Sequence, residues 1–377
     1  MNWLLYFGRL EKEKWFDAIL GMIDLFSKKS DQLPFELFIF GSWTYQSQIQ
    51  DLAAKYKSIH YFWRQDLTTI KQYVSNCQYL LAPSTCLESF GLTALCWLSR
   101  WLKPIGYAKW WLAQFIDPRL DLNQSKWNNT TQKLFNLINK ISQDNFNPTF
   151  DLPNLSNYSI SSRQTNFAEL IWPGKKRILI ISDYINRVWW IETYINDAKD
   201  ILNWMWYEVQ LFWTKIPWGV FWKIIRYLWF FASIFNIYEA IRLFILIKKF
   251  KPDLLWYNSI LRYLGRLSLF TDKFFKTQKW LMCHDLGYFY PFPKSLIQES
   301  QIKLPLNLRN YISSAKTKNP IKILWMIWKY ISIYLIRKQS KKMDKILIPS
   351  QFMIEIVHQS YKIPKNKIHH FPHFIQN

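Results

Sequence analysis

The chain has 377 residues, 50% of them hydrophobic, which is enough for two domains with buried cores and excludes wholesale disorder. Its formal net charge is +23, from 49 Lys and Arg against 26 Asp and Glu. Such a balance attracts polyanions, whether nucleic acid, acidic lipid headgroups or phosphorylated substrates. No base-stacking or helix-turn-helix pattern accompanies the charge, so we expect no nucleic acid partner.

The cysteines and histidines give no metal-binding pattern. The four cysteines form no C-x-x-C pair, which favours a reducing compartment and excludes a structural zinc site of that kind. The histidine cluster at 369–373 has no acidic or cysteine neighbour in the sequence, so we expect no metal and no cofactor. The cysteines are Cys77, Cys86, Cys96 and Cys283.

The first residues form an apolar, strand-like run, so we expect no signal peptide. The longest uncharged apolar segment, 227–238, is too short to span a membrane, which takes about 20 residues. Basic amphipathic segments at 223–251 and 322–342 favour an anionic membrane surface. We therefore expect a cytoplasmic protein, either free or peripheral on the inner face of the membrane.

The predicted elements alternate strand and helix along the first half. The apolar run LLYFGRL precedes a helical pattern at 15–27, and FELFIFG precedes another at 45–57. YLLAPS precedes a third helical pattern at 92–98. Short apolar strands that alternate with amphipathic helices are typical of parallel sheets with helices on both faces.

A second α/β domain is predicted to follow. A polar stretch at 123–163, interrupted by a helix at 131–141, leads to the fresh first strand RILIISDY. A helix at 191–202 and the strand YEVQLF come next. The predicted fold class is α/β, with two Rossmann-like doubly wound domains at 1–170 and 174–377 and a linker at 172–174.

Two cations flank the loop after the first strand. Arg9 and Lys14 follow Gly8 at the carboxyl end of a predicted parallel strand, where α/β folds bind ligands. Cations at that place would neutralise a leaving diphosphate, as transfer from a nucleotide sugar requires. The same charges would also suit a solvated Lys/Glu helix start, and the sequence pattern leaves both interpretations open.

Two more elements point to a phosphate-bearing donor. FIFGSW places Gly41 in a tight turn after a strand. Glu88 precedes the predicted helix start formed by Ser89, Phe90, Gly91 and Leu92, where free backbone N–H groups favour anionic oxygens. The Glu88 carboxylate would hold sugar hydroxyls, or alternatively would serve only as a favourable charge near the helix dipole.

Together these residues resemble the donor-binding domain of retaining GT-B glycosyltransferases, over roughly residues 3–170. The G-R-L-x-x-x-K-G motif of that family matches Gly8, Arg9, Leu10 and Lys14, with Trp15 at the final glycine. The E-x7-E motif matches Glu88, and Cys96 stands at its second glutamate, which in the family is expected to hold the donor's ribose. The resemblance implies a nucleotide-sugar site.

The second half resembles the acceptor-type domain of the same family. RILIISDY is followed by a loop in which Trp189 and Trp190 occupy two family glycines and Glu192 matches the acidic residue. The resemblance implies that this loop lies against the donor phosphates and the acceptor. It also places His284 and Asp285 in a loop near the acceptor, although His284 on its own would read as a core histidine.

The tryptophan and glycine counts are both anomalous. The chain has 22 Trp and 9 Gly, whereas an ordinary chain of this length has roughly 26 Gly. The sum of the two counts is close to that ordinary number of glycines. Many of the tryptophans stand where the family has, or readily takes, glycine. We expect that the source organism reads the codon UGA as glycine and that its gene was translated with a table that gives tryptophan. The alternative is a Trp-rich protein whose aromatic side chains bind sugars. The twelve positions are Trp15, Trp43, Trp63, Trp97, Trp101, Trp110, Trp111, Trp189, Trp190, Trp204, Trp206 and Trp213.

The predicted halves stand in the reverse of the family's order. The chain is expected to be either a piece of a tandem double transferase or a circular permutant, and YSISSRQTNFAELI is similar to a transferase C-terminal helix.

We expect transfer of a hexose, with retention, from a nucleotide diphosphate sugar to a glycan or lipid-linked acceptor. The alternative is an inactive or truncated fragment that serves only as a binding module. A Rossmann oxidoreductase is disfavoured, because neither first strand is followed by G-x-G-x-x-G.

Overall fold

Two parallel β-sheets organise the part of the chain that the structure describes. The structure is a computed structural model that describes residues 2–63, 65, 67–83, 102–109, 112–113, 115–126, 128–143, 155–171, 173–183, 190–214, 236–258, 260, 264, 267–269, 275–284, 308, 312 and 319–373. These residues form two compact units that divide between Leu155 and Ser156.

The first unit contains a five-stranded parallel sheet with the order β3-β2-β1-β4-β5. Its strands are β1 (Asn2–Phe7), β2 (Phe35–Phe40), β3 (Ile59–Phe62), β4 (Tyr79–Ala82) and β5 (Lys103–Gly106). Its described helices are α1 (Phe16–Ser27), α2 (Gln46–Lys55), α3 (Leu67–Val74) and α4 (Thr130–Ser142). Short 3-10 turns lie at Lys12–Lys14, Pro118–Leu120 and Leu122–Gln124.

Apolar residues in β2 and α1 build the core of the first unit. β2 is almost continuously apolar and buried, as expected of a parallel strand covered on both faces. α1 places Phe16, Ile19, Met22 and Phe26 inward at helical spacing. The ring centroid of Phe26 lies 4.5 Å from that of Phe135 in α4, so α1 and α4 pack together beside the sheet.

The second unit contains a six-stranded parallel sheet with the order β11-β10-β9-β8-β6-β7. Its strands are β6 (Arg177–Ser182), β7 (Glu208–Trp213), β8 (Leu254–Tyr257), β9 (Gln278–Met282), β10 (Lys345–Ile348) and β11 (Ile368–His370). Its described helices are α5 (Ile160–Leu170), α6 (Trp190–Trp204), α7 (Ile237–Phe250), α8 (Pro320–Ser340) and α9 (Phe352–Tyr361). Further 3-10 turns lie at Leu155–Tyr158 and Lys365–Lys367.

The core of the second unit is built around two fully buried tryptophans. Trp256 of β8 and Trp280 of β9 pack edge to face, with ring centroids 5.9 Å apart. The ring centroid of Phe167 of α5 lies 5.5 Å from that of Trp256. The side-chain amide of Gln278 donates to the Leu170 carbonyl at 3.2 Å. α5, which precedes β6 in the chain, is therefore part of this core.

The fold class predicted from the sequence is confirmed, since both units are doubly wound parallel sheets with helices between the strands. The helices predicted at 15–27, 45–57, 131–141 and 191–202 are present. The helix predicted at 92–98 lies outside the described residues. Within the described residues, no helix is both long enough and apolar enough to cross a membrane.

Candidate functional site

The strand order of the first sheet defines a ligand crevice. The chain moves outward from β1 to β2 and β3, then returns to place β4 on the other side of β1. In open parallel sheets, ligands bind outside the carboxyl ends of the strands at this point of reversal. The loop after β1 carries Gly8 and Arg9, and the segment after β4 leads to residues 84–101. The predicted residues Glu88, Ser89, Phe90, Gly91, Leu92 and Cys96 belong to that segment and lie outside the described residues.

Glycines allow the backbone to close up at this edge. A β-carbon on Gly41 would lie 1.9 Å from the carbonyl oxygen of Gly8. A β-carbon on Gly106, at the end of β5, would lie 2.2 Å from the carbonyl oxygen of Ala82. Only glycine permits such contacts, so the loop after β1 meets the loop after β2, and β5 meets β4, without side chains between them.

Backbone hydrogen bonds join the loops after β1 and β2. The Gly8 amide donates to the Phe40 carbonyl at 3.0 Å, and the Leu10 amide donates to the Ser42 carbonyl at 3.1 Å. The Tyr45 amide donates in turn to the Leu10 carbonyl at 3.2 Å. These hydrogen bonds join the two loops and fix the backbone on both sides of Arg9.

Arg9 has local partners that were not predicted from the sequence. Its guanidinium forms an ion pair with Glu11, whose side chain is only 11% exposed, whereas that of Arg9 is 37% exposed. The Tyr6 hydroxyl donates to the Arg9 carbonyl at 2.7 Å. Burial raises the pKa of Tyr6 despite the nearby Arg9, so this hydroxyl remains a donor. In the sequence, this ion pair is indicated by Glu11, which stands two residues after Arg9.

Lys14 and Trp15 lie at the start of α1. The 3-10 turn Lys12–Lys14 ends at Trp15, which adopts the left-handed conformation (φ 56°, ψ 33°), and α1 begins at the next residue. Trp15 is the position that corresponds to glycine in the predicted motif. The first turn of α1 therefore lies directly after the loop that carries Arg9, and its Phe16 and Ala18 amides donate to the Glu11 and Trp15 carbonyls.

The carboxyl edge of the second sheet carries a buried polar cluster. Its strand order reverses between β6 and β8, and Asp183 and Asn258 follow these two strands. The Asp183 carboxylate accepts from the Leu264 amide at 2.6 Å, and its carbonyl accepts from the Thr214 hydroxyl. Asp183 and Asn258 are both 0% exposed. Neither residue was predicted from the sequence.

His284 follows β9 and belongs to this cluster. Its Nε2–H donates to the side-chain oxygen of Asn258 at 3.1 Å, and its ring stacks on that of His373 with centroids 5.2 Å apart. Tyr194 of α6 contacts both rings edge-on, at 5.3 and 4.7 Å. Burial lowers the pKa of His284 to about 3, so the ring is neutral. His284 is enclosed by its neighbours, as the core-histidine interpretation expects.

The remaining predicted residues of the second half are described in part. Trp190 and Glu192 lie in the first turn of α6, where only the backbone is described. Trp189 and Asp285 lie outside the described residues. Among the side chains that the structure describes, no group of three or more His, Cys, Asp or Glu is arranged to hold a metal ion.

Comparison with known proteins relates the first unit to one family. Residues 2–95, which include the first four strands of the sheet, match the family model of glycosyl transferases group 1. The match includes Gly8, Arg9, Lys14 and Gly41. A search of curated proteins found no match. The family match is therefore located in the first unit.

Solved structures with partial similarity include two glycosyltransferases. WaaG, a glycosyltransferase involved in lipopolysaccharide biosynthesis, is 17% identical with a TM-score of 0.29, and the match covers 38% of each chain. The catalytic domain of cholesterol-alpha-glucosyltransferase from Helicobacter pylori is 15% identical with a TM-score of 0.27, over 38% of this chain and 94% of that one. GanP, a glucose-galactose binding protein from Geobacillus stearothermophilus, is 8% identical with a TM-score of 0.22, over 91% and 92%. The chain thus spans 38% of the length of WaaG.

Proposed function

We propose that the chain is a glycosyltransferase, or a piece of one, that transfers a hexose with retention from a nucleotide diphosphate sugar. The observation that supports this most is the coincidence of two independent features. Residues 2–95 match the group 1 family, and within them Arg9 follows β1, beside the reversal of strand order in a doubly wound sheet.

In the proposed mechanism, Arg9 and Lys14 stabilise the departing diphosphate. Cations fixed where negative charge develops lower the barrier because they need no reorganisation during the reaction. The positive end of the α1 dipole contributes to the same stabilisation. Glu88 orients the sugar, and the leaving phosphate takes the acceptor proton, so that neither a protein base nor a metal ion is invoked.

Glu11 gives the proposed site a resting state. Before the diphosphate arrives, the Glu11 carboxylate neutralises Arg9, and the guanidinium is held at the crevice. A diphosphate would displace Glu11, because it offers more acceptor oxygens and more negative charge to the planar guanidinium of Arg9. The acceptor, a glycan or a lipid-linked glycan, is proposed to bind against the second unit near Glu192 and His284, as the family resemblance implies.

We also infer that the functional chain carries glycine at many of the tryptophan positions. Among the described residues, five non-glycine residues have positive φ: Trp15, Trp43, Trp206, Lys251 and Lys362. A left-handed conformation costs a residue with a β-carbon about 1–2 kcal/mol, and glycine adopts it freely. Tryptophan has no side-chain hydrogen bond that favours this conformation, yet it accounts for three of the five.

Burial separates two classes of tryptophan. The indole of Trp206 is 91% exposed just after α6, where helices commonly end on glycine, so the side chain adds almost no buried area. Trp256 and Trp280 are 0% exposed and fill the core of the second unit. UGA codons at Trp15, Trp43 and Trp206, with UGG at Trp256 and Trp280, are the expected result of gene sequencing. UGG at all five would overturn the recoding proposal.

The proposed activity is tested on the full chain with glycine at the twelve tryptophan positions. Release of nucleoside diphosphate is measured with a panel of nucleotide sugars, with and without glycan acceptors. Arg9→Ala and Lys14→Ala are each expected to lower turnover by roughly 100-fold or more. Lys57→Ala, on an exposed lysine of the first unit, is the matched control and should retain full activity.

The competing interpretation, a non-catalytic binding fragment, predicts a different result in the same assay. Such a fragment would bind the nucleotide sugar, and Arg9→Ala would weaken that binding, but no nucleoside diphosphate would be released. Absence of both binding and release across the panel would contradict the proposed function itself.

A further inference from the structure

Helix α7 of the second unit leaves an aliphatic stripe uncovered among the described residues. Ile237, Ile241 and Ile245 follow each other at intervals of four residues and are 61%, 54% and 59% exposed. This spacing places them on one line along the helix. The stripe ends at Lys248 and Lys249, which are also exposed. α7 thus presents solvent with an apolar surface that has positive charge at one end.

Helix α8 repeats the same arrangement. Its exposed apolar residues recur at spacings of three and seven, so they too share one side of the helix. Exposed lysines follow at and just beyond its carboxyl end, and the helix contains no Asp or Glu. The exposed residues are Ile321, Leu324, Ile331 and Tyr334, followed by Lys338, Lys341 and Lys342.

The sheet topology places both helices on one face. α7 connects β7 to β8 and α8 connects β9 to β10, and both connections run in the same direction along the strand order. α6 connects β6 to β7 in the opposite direction. Since such crossovers are right-handed, α7 and α8 lie on the face of the sheet opposite α6. The two stripes therefore belong to one side of the second unit.

A groove adjoins the stripe of α7. It has a volume of about 350 Å³ and lies between α7 and the edge strand β7. Most of its lining is apolar and includes Phe212, Ile245 and Leu246, and it also includes the cations Arg242 and Lys249. The apolar surface of α7 thus continues into a concave site beside positive charge.

We propose that this face, which we call the α7–α8 surface, docks on a bilayer that contains anionic phospholipid. The isoleucines and leucine would enter the boundary between headgroups and acyl chains, and the lysines would lie at the phosphates. A second copy of the chain is a poorer occupant, because two surfaces with the same positive charge repel. An anionic lipid surface complements both features, the aliphatic stripes and the lysines that follow them.

The proposal is tested by sedimentation of the full chain with vesicles of phosphatidylcholine, with or without phosphatidylglycerol. We expect binding only to the mixed vesicles, with loss at high salt. Lys338→Gln/Lys341→Gln/Lys342→Gln should weaken binding roughly 100-fold, because each lysine contributes near an anionic surface. Ile241→Ser/Ile245→Ser should weaken it at least about tenfold.

A triple variant of Lys28, Lys55 and Lys57 to Gln is the matched control. These exposed lysines of the first unit carry the same total charge, and their loss should leave vesicle binding nearly unchanged. Equal weakening in both triple variants would show attraction to net charge alone and would overturn the assignment. So would concentration-dependent dimerisation that Ile241→Ser/Ile245→Ser abolishes. Circular dichroism of each variant shows that it is folded, as expected for substitutions at exposed positions.

Discussion

Arg9 forms an ion pair with Glu11, two residues further along the loop that follows β1. The pair lies at the reversal point of the first sheet, where open parallel sheets bind their ligands. Glu11 is the more buried partner, so the pair is shielded from solvent on the carboxylate side. In the proposed mechanism, a diphosphate competes with this carboxylate for the same guanidinium.

Removal of that competition should strengthen binding of the diphosphate. Glu11→Gln keeps the size of the side chain but removes its charge, so nucleoside diphosphate should bind the glycine-restored chain about three- to tenfold more tightly. Titration calorimetry measures the change. Glu36→Gln, at a half-buried carboxylate bonded to His60, is the control and should have no effect. Weaker binding by Glu11→Gln would mean that Glu11 positions Arg9 for the ligand.

Gly41 should tolerate no side chain. Gly41→Ala places a methyl group 1.9 Å from the Gly8 carbonyl oxygen, so the two loops must separate. We expect a loss of more than about 2 kcal/mol in the free energy of unfolding, together with loss of nucleotide binding. Gly174→Ala is the comparison, since its β-carbon meets open space and only its φ of 78° opposes the change, at about 1 kcal/mol. Equal costs in denaturant titrations would contradict the close approach of the loops.

Trp206→Gly should stabilise the tryptophan-containing chain. The left-handed backbone at φ 66° favours glycine, and the exposed indole contributes little burial, so we expect a gain of about 1 kcal/mol. Trp204→Gly is the matched control, because Trp204 is also exposed but is the last helical residue of α6. There glycine should cost about 0.5 kcal/mol. Urea unfolding compares the two, and the same sign for both would refute the backbone argument.

The second unit should lose stability in mild acid. Burial holds the pKa of His284 at about 3, well below its ordinary value of 6.5. Below pH 6.5 the unfolded chain therefore takes up a proton that the folded chain does not, and stability falls by about 2 kcal/mol between pH 7 and pH 5. Burial, and then the nearby His284 and Arg163, lower the pKa of His373 in the same direction.

Arg163 and Tyr194, which lie beside these histidines, do not titrate between pH 5 and pH 7. The pKa of Arg163 is lowered by burial to about 10, and that of Tyr194 is raised by burial to about 12. His284→Gln keeps a donor for Asn258 and should reduce the pH dependence by about one proton. Amide hydrogen exchange of β8 and β9 follows unfolding of this unit. An unchanged slope in His284→Gln would show that another group causes the acid sensitivity.

The sequence predicted the fold well because parallel strands are buried on both faces. Runs such as FELFIF and RILIIS are too continuously apolar for surface strands, and helical periodicity separates them. The packing of α5 in the second core could not be predicted from the sequence. Its sequence resembles a transferase C-terminal helix, but no local pattern shows that Phe167 packs on Trp256 in the second core.

The candidate site was predictable only where side chains carry the chemistry. Arg9 and Lys14 were identified from charge and position, and Gly41 from its turn. Glu11 and Tyr6 were missed because their roles are to hold Arg9, which depends on the conformation of the loop. Asp183 was missed because its partner Leu264 lies 81 residues away in the sequence.

The most direct test of the account is titration calorimetry of the glycine-restored chain with nucleoside diphosphates and nucleotide sugars. The account predicts binding that Arg9→Ala weakens at least about tenfold, and no binding by the chain with tryptophan at positions 15 and 43. Failure of the glycine-restored chain to bind any member of the panel would contradict the central claim. Equal affinity in Arg9→Ala would contradict the assigned site.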